Sequence, residues 1–365
     1  DNSIPQIVRK PFTNYHNLCH LRGIIKNINY EDEKIILTIQ TASSDGLFID
    51  EIVVYLFDHS KNNLLYPDLT KYASILEIGQ DIFIQNCTFL KGNEYYSTAD
   101  TLIVLYPDYI VDVRDVSDVH IFNNSYPHFI KLVPIYSIIR TFVNIDNPQK
   151  IQSILIGNIL GEIFDVYIAN EKVSEANLLE AYKDFIGKNI FELLFWYNNS
   201  EGVNIDFLID IIKKEYLSGL ELMLPSIKRD KSSIMYLEPF YISRFYGLQG
   251  RMDALAFTEK GNSANIYELK SHKPKNKSYL YTKSHDAQLI CYYLLFRSTY
   301  PDKKLFYKMA YPGAEEHHLR SITFGDNAEE RQLMLIQEVL FARNNIVKNH
   351  IDYAKGDFSS LINCL

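Results

Sequence analysis

The fold class rests on the stretch Gly247-Leu248-Gln249-Gly250-Arg251-Met252-Asp253-Ala254-Leu255, which is followed after a polar turn by Ile266-Tyr267-Glu268-Leu269-Lys270. The two runs predict β-strands joined by a hairpin, because residues 258–264 between them are of types that accept positive φ or cap turns. A hairpin that is symmetric about Lys260 and Gly261 places Asp253 opposite Glu268. The register of this hairpin therefore decides which polar side chains meet.

Side chains alternate faces along a strand, so Glu268 and Lys270 are expected on one face and Leu269 on the other. Two carboxylates and one ammonium then form a cluster. Mg²⁺ and Mn²⁺ prefer such hard oxygen ligands, and a lysine beside them can orient water or neutralise charge on a phosphate. The cluster predicts a metal-dependent nuclease in which Asp253 and Glu268 hold the metal and Lys270 assists catalysis. The alternative is a structural ion pair across the hairpin.

Two apolar helices are predicted on either side of the hairpin. In the segment 284–295, Ala287, Ile290, Leu294 and Leu295 make an apolar stripe, while Gln288 and Tyr292 are four residues apart and share a face. The segment 154–164 carries one acid, Glu162. Simpler interpretations are a solvated position for Gln288 and Glu162, and core packing for Tyr292.

These pieces, taken in order, resemble the PD-(D/E)XK nuclease superfamily and its RecB-like branch. The resemblance covers residues 107–365 and consists of Gly157 to Glu162, Gly247 to Asp253, Glu268 to Lys270, and Gln288 with Tyr292. It implies an α/β restriction-endonuclease-like core with a mixed central sheet. It also implies catalytic roles for Glu162, Asp253, Glu268 and Lys270, and substrate contacts by Gln288, Tyr292 and Arg251.

The sequence departs from the family pattern in two places. Gly161 stands where the family usually has a metal-ligating histidine, so Glu162 is a candidate replacement ligand; otherwise Asp253, Glu268 and the Leu269 carbonyl hold the metal alone. Many members of the branch also carry an iron–sulfur cluster on four cysteines. The four cysteines here include no C-x-x-C pair, so no such cluster is expected.

Composition and charge favour a protein without a membrane span. No run is expected to be long and apolar enough to cross a bilayer, and the few unpatterned cysteines suit a cytoplasmic location. The net charge of −8 argues against a large nucleic-acid surface and for a local groove. One basic patch, residues 270–283, contains Lys273, Lys275 and Tyr279, and it suits contact with a single DNA strand. A solvated loop is the alternative.

The N-terminal third has a different pattern. Short β-rich runs separated by turns predict an all-β barrel of the OB type over residues 1–106, followed by the nuclease domain over 107–365 with a helical insertion at about 170–230. The nuclease-helicases that the chain resembles also begin with an OB-fold, which supports this prediction. The barrel can contact single strands or serve as a packing platform.

No G-x-x-x-x-G-K-[ST] phosphate loop occurs, so the chain has no visible ATPase motor. The expected partners are therefore DNA, single-stranded or flap, and a helicase, supplied by a missing C-terminal region or by a separate protein. Two functions follow from the sequence. The first is an active Mg²⁺- or Mn²⁺-dependent deoxyribonuclease in replication, repair or DNA defence. The second is an inactive nuclease-like scaffold that binds DNA or a helicase.

Overall fold

A computed structural model describes most of the chain. It covers residues 18–31, 33–42, 49–61, 66–123, 148–170, 174–190, 193, 205–228, 234–258, 261–271, 283–315, 317–322 and 328–357. In this part of the chain the elements are three sheets, a short 3₁₀ helix at Leu69–Ser74 and seven α-helices. After residue 110 one short strand and a run of helices precede a run of strands, and both types occur again before residue 357, so this part of the chain mixes helices and strands.

The first sheet is built from the N-terminal strands β1 Leu18–Glu31, β2 Lys34–Ala42, β3 Ile49–Phe57, β4 Asp81–Lys91, β5 Glu94–Tyr96 and β6 Leu102–Leu105. Its order is β1-β2-β3-β5-β4-β6, and β1 also pairs with β4. The pairings thus form a closed circuit of five strands with β6 outside it. Inward side chains such as Ile25, Leu37 and Val54 alternate with exposed ones and form one hydrophobic core.

Two further sheets follow. Strands β7 Val111–Asp112, β9 Phe240–Ser243 and β10 Leu248–Arg251 make a three-stranded sheet in the order β7-β10-β9. A five-stranded sheet has the order β14-β13-β12-β11-β8, with β8 Met235–Leu237, β11 Ala254–Phe257, β12 Ser263–Leu269, β13 Lys304–Ala310 and β14 Leu319–Ile322. In the five-stranded sheet only β12 and β13 run parallel to each other, so this sheet is mixed.

The first strand predicted from the sequence is broken in the structure. Residues 247–255 were expected to run as one strand, but β10 ends at Arg251 and β11 begins at Ala254 in a different sheet. The neighbouring chain bends at the same level, where Glu238 has a φ of 45° and precedes Pro239. Proline has no N–H to donate to a ladder, so both strands leave one sheet and enter the next here. Asp253 lies at this bend.

The helices pack on both sides of the five-stranded sheet. They are α1 Val113–Asn123, α2 Pro148–Ala169, α3 Glu175–Lys188, α4 Ile205–Glu215, α5 Leu217–Lys228, α6 Lys283–Thr299 and α7 Ala328–Ala354. Helices α2 to α5 form one core with Ala254 and Tyr267, and α1, α6 and α7 form another with Leu255 and Ile266. The region predicted as a helical insertion at about 170–230 is helical where it is described.

Helix α7 joins the N-terminal sheet to the rest of the molecule. The Arg343 side chain is fully buried there and donates hydrogen bonds to the carbonyl oxygens of Leu105, Tyr106, Tyr109 and Gly247. Gly247 has a φ of 61°, and a Cβ added to it would lie 2.1 Å from Arg343 Nη2. Glycine is required at this position for conformation and for space.

One helix contradicts the expectation that no segment is long and apolar enough to cross a bilayer. Within the described residues, Gln152–Ala169 of α2 is long and apolar enough by length and composition to cross a bilayer. Its apolar side chains Leu155, Ile159 and Phe164 are buried in the core formed with α3 to α5. This helix is therefore packed as a core helix.

Candidate metal-dependent active site

The hairpin register brings the two predicted acids together. Ala254 pairs with Tyr267 in the β11–β12 ladder, so continuation of the ladder by one step sets Asp253 opposite Glu268. The Leu269 amide donates a hydrogen bond to Asp253 Oδ2 at 2.6 Å. The register expected from the sequence is thus confirmed, although Asp253 lies just before β11 rather than within a strand.

Lys270 binds both Glu268 and Gln288. Its Nζ donates to Glu268 Oε1 at 2.7 Å and to Gln288 Oε1 at 2.7 Å. Gln288 Nε2 in turn donates to Glu268 Oε1 at 2.7 Å. The expectation that Glu268 and Lys270 share a face is confirmed, and Leu269 packs into the opposite core. The two contacts fix the ammonium and leave it one N–H for a further partner.

Helix α6 contributes Gln288 and Tyr292, which are one turn apart, to the same hydrogen-bond network. Gln288 Nε2 also donates to the Tyr292 hydroxyl at 3.0 Å, and that hydroxyl donates to the Arg251 carbonyl oxygen at 2.8 Å. Tyr292 is buried in the core, as its simpler interpretation required, yet its hydroxyl group lies in the site. The shared helix face predicted for Gln288 and Tyr292 is therefore present and turned towards the hairpin.

The electrostatics at Glu268 and Asp253 are unusual. Burial raises the pKa of Asp253 well above its ordinary value, and the neighbouring Glu268 carboxylate raises it further, against the opposing effect of Lys270. Glu268 is 3% exposed, and its Oε2 atom has no hydrogen-bond partner among the described residues. A buried carboxylate oxygen without a partner is costly, so this atom is suited to an external positive ligand.

A cavity of about 960 Å³ opens onto the two acids. Its walls come from the start of α1, from α2, from α6 and from the ends of β10 and β12. Gly157 of α2 faces the Ser271 side chain, and a Cβ on Gly250 would come within 2.7 Å of Val113. Small residues therefore bring the helices close to the strand ends at this point.

Arginines add positive charge to the cavity. Arg251 pairs with Glu238 at 3.1 Å, but both side chains are about half exposed, and such a surface pair is weak enough to exchange for a phosphate. Arg114 of α1 is exposed at the cavity wall and has no acidic partner in the part of the chain that the structure describes. Sequence reasoning missed Arg114, since only the tertiary packing of α1 brings it to the hairpin.

The prediction for Glu162 is wrong. Glu162 was expected to face the Asp253–Glu268 cluster, but its carboxylate receives two hydrogen bonds of 2.8 Å from Lys188 of α3, and it does not line the cavity. The helical repeat is the reason. Gly157, Gly161 and Asp165 succeed one another every four residues on one face of α2, while Glu162 is turned towards α3.

Asp165 is the acid of α2 that the sequence analysis missed. Its negative charge contributes to the raised pKa of Asp253, so the two groups are close enough to interact. Burial, together with the charges of Glu238 and Glu162, raises the pKa of Asp165 itself to about 7. Its position eight residues after Gly157 was the signal in the sequence that could have identified it.

The residues present fit a weakly held divalent ion. No group of three or more His, Cys, Asp and Glu side chains able to hold a metal occurs among the described residues. Asp253 and Glu268, with the Leu269 carbonyl, would provide two carboxylates and one backbone oxygen. Mg²⁺ is commonly bound through one or two carboxylates while it keeps several waters, and the unpartnered Glu268 Oε2 provides an oxygen of this type.

The remaining predictions for the site concern the basic loop and the cysteines. Lys273, Lys275 and Tyr279 lie outside the described residues. Cys19 and Cys87 face each other across β1 and β4, and Cys291 is buried in α6. The prediction that no iron–sulfur cluster is bound stays a prediction.

The chain matches no protein-family model, and a search among curated proteins finds no significant match.

Proposed function

We propose that the protein is a metal-dependent nuclease that hydrolyses phosphodiester bonds of single-stranded or flap DNA. The observation that carries the proposal is the buried carboxylate of Glu268. One of its oxygens is held by Lys270 and Gln288, the other is buried without a hydrogen-bond partner among the described residues, and Glu268 lines a cavity together with Asp253. The order and identity of these residues are those of the PD-(D/E)XK resemblance.

Each side chain has a distinct role in this proposal. Asp253 and Glu268 would hold Mg²⁺ or Mn²⁺ together with the Leu269 carbonyl. The chemistry supplied by the bound ion is the activation of water and the neutralisation of charge on the phosphate oxygens. Lys270 lines the cavity and keeps one N–H without a partner from Glu268 or Gln288, so it would stabilise negative charge that develops on the scissile phosphate. Gln288 holds the ammonium of Lys270 in place, and Tyr292 holds the end of β10 through the Arg251 carbonyl oxygen.

The cationic side chains of the cavity support the proposed binding of a phosphate backbone, although the same lining also contains Asp112, Asp115 and Asp118. Arg114 and Arg251 would provide phosphate contacts at its rim, and Lys273, Lys275 and Tyr279, which follow β12 in the sequence, are proposed to add further contacts. The proposal includes a cytoplasmic protein that works on DNA with a helicase, in the same polypeptide or a separate one, in replication, repair or DNA defence.

A direct test is a cleavage assay on labelled single-stranded DNA with Mg²⁺ or Mn²⁺. We expect products with either ion and none with EDTA. If the protein binds the DNA but produces no cleavage with any divalent ion, it is a nuclease-like scaffold instead. The observation that favours this alternative is that the described residues contain no group of three or more His, Cys, Asp or Glu side chains placed to hold a metal.

A further inference from the structure

A second cavity, of about 610 Å³, lies where the N-terminal sheet meets α6. Aromatic side chains from three parts of the chain line it: His20 of β1, Phe245 and Tyr246 after β9, and Tyr293 of α6. Phe245 is central, with its ring centroid 5.8 Å from that of His20 and 5.0 Å from that of Tyr246, both edge to face. His20 is exposed and Phe245 is 39% exposed, so these rings are accessible from the cavity.

The same cavity contains a positive charge and hydrogen-bonding groups. The Arg297 guanidinium carbon lies 5.9 Å from the centroid of the Tyr293 ring, and Arg297 has no acidic partner among the residues described. Gln85 and Asn86 add amide groups to the wall, and the largely buried Asp100 adds a carboxyl group that can accept a hydrogen bond from a base edge. A flat ligand with hydrogen-bonding edges and an attached negative charge suits these surroundings, and a nucleotide has all three properties.

Strand β9 connects this cavity to the candidate active site. It lies at the edge of its sheet and exposes Phe240 and Ile242 on one face, 55% and 56% accessible. Phe240 lines the active-site cavity, whereas Phe245 lines the second one. Five residue steps separate them, which limits the distance between their Cα atoms to about 18 Å. Between the two cavities the chain therefore exposes the apolar side chains of Phe240 and Ile242 and then the charged side chain of Arg244.

We infer that the second cavity is a base-stacking subsite for single-stranded DNA, whose scissile phosphate lies in the first cavity. The strand passes over Phe240 and Ile242, one base stacks beside Phe245, and Arg297 contacts the backbone. A protein partner could equally well pack against the exposed side chains of Phe240 and Ile242. The unpaired Arg297 and the continuity with a cavity proposed to cleave phosphodiesters favour DNA. The inference rests on the proposed function for the placement of the scissile phosphate in the first cavity. Binding of DNA to the second cavity is tested separately.

The test is the affinity for a labelled oligothymidylate of about 20 nucleotides, measured by fluorescence anisotropy in EDTA so that no cleavage occurs. Phe245→Leu keeps an apolar side chain and removes the stacking ring. Phe306→Leu is the matched control, because Phe306 is 50% exposed on β13 and lines neither cavity. Stacking of a base on an aromatic ring is worth about 1–3 kcal/mol, so Phe245→Leu should weaken binding at least about fivefold. Phe306→Leu should bind as the wild type does.

Abasic residues placed singly along the oligonucleotide locate the subsite. Removal of one particular base should weaken binding to the wild type and cause no further loss with Phe245→Leu. Equal affinities of wild type and Phe245→Leu, or equal losses for Phe245→Leu and Phe306→Leu, would overturn the inference. If Phe245→Leu loses affinity while the wild type never cleaves, the stacking subsite stands and the nuclease proposal fails. If the wild type cleaves and Phe245→Leu binds normally, only the subsite fails.

Discussion

At the scale of single residues, the protonation of Asp253 connects the stability of the fold with metal binding. Its pKa is raised by burial and by Glu268, so the folded protein binds this proton more tightly than the unfolded chain. Between the ordinary pKa of aspartate and the raised pKa of Asp253, the free energy of unfolding therefore falls as the pH rises. Above the raised pKa this group causes no further change. A bound divalent ion competes with the proton and removes the penalty.

The first prediction follows from this linkage. Asp253→Asn cannot ionise, so without metal the melting temperature of the wild type should fall relative to that of Asp253→Asn between about pH 5 and about pH 8. Added Mn²⁺ should raise the melting temperature of the wild type at the upper pH and leave Asp253→Asn nearly unchanged. Differential scanning calorimetry measures both. Parallel pH profiles for the two proteins, with no selective effect of Mn²⁺, would show that Asp253 does not hold the metal.

At the scale of elements, one face of α2 decides how many ligands the site has. Gly157 touches Ser271 at the end of β12, and Asp165 interacts with Asp253, so Gly161 between them faces the same side. A Cβ added at Gly161 meets nothing within 4 Å. The histidine usual in the resembling family would therefore have room here.

The second prediction is that Gly161→His tightens Mn²⁺ binding by about tenfold, which corresponds to about 1.4 kcal/mol, because the imidazole would add a third side-chain ligand beside the two carboxylates. Gly187→His is the matched control, since Gly187 also lies in a helix, α3, with open space around an added Cβ. Isothermal titration calorimetry gives the affinities. An unchanged Mn²⁺ affinity in Gly161→His would mean that this face of α2 does not reach the metal.

The elements also show how far sequence reasoning reaches. The alternation of Glu268, Leu269 and Lys270 and the four-residue spacing of Gln288 and Tyr292 are local, so the β11–β12 register and the shared face of α6 followed from the sequence. The bend at Asp253 depends on Pro239 in a neighbouring strand. Arg114 reaches the site only because α1 packs on α6, and no local pattern records that packing. The OB-type barrel and the restriction-endonuclease-like core stay predictions.

At the scale of the whole molecule, Arg343 holds together segments that are far apart in sequence. Its guanidinium is buried, has no carboxylate partner among the described residues, and burial lowers its pKa to about 9. Four carbonyl oxygens share its hydrogen bonds, three of them in the segment that leaves the N-terminal sheet and one at the start of β10. The planar guanidinium group has five N–H donors in a fixed geometry, so it can bind four carbonyl oxygens at once. The single ammonium group of lysine cannot do so.

The third prediction is that Arg343→Met destabilises the protein by about 3 kcal/mol or more, because several buried carbonyl groups lose their partners. Arg343→Lys should also destabilise it, since a single ammonium cannot reach all four oxygens. Lys355→Met, which removes an exposed positive charge just after α7, is the control and should have little effect. Calorimetric melting measures the differences. A wild-type melting temperature for Arg343→Met would mean that the N-terminal sheet is held by other contacts.

The central claim is that Asp253, Glu268 and Lys270 cleave DNA, and the cleavage time course of Lys270→Ala tests it most directly. We predict a loss of about 10²–10⁴-fold with DNA and Mn²⁺ binding retained, because Lys270 acts on the reacting groups and the carboxylates hold the metal. Asp253→Asn should lose activity through metal affinity, so excess Mn²⁺ should partly restore it but not restore Lys270→Ala. Lys304→Ala on the adjacent strand β13, exposed and outside the cavity, should cleave normally. Undiminished cleavage by Lys270→Ala would contradict the account.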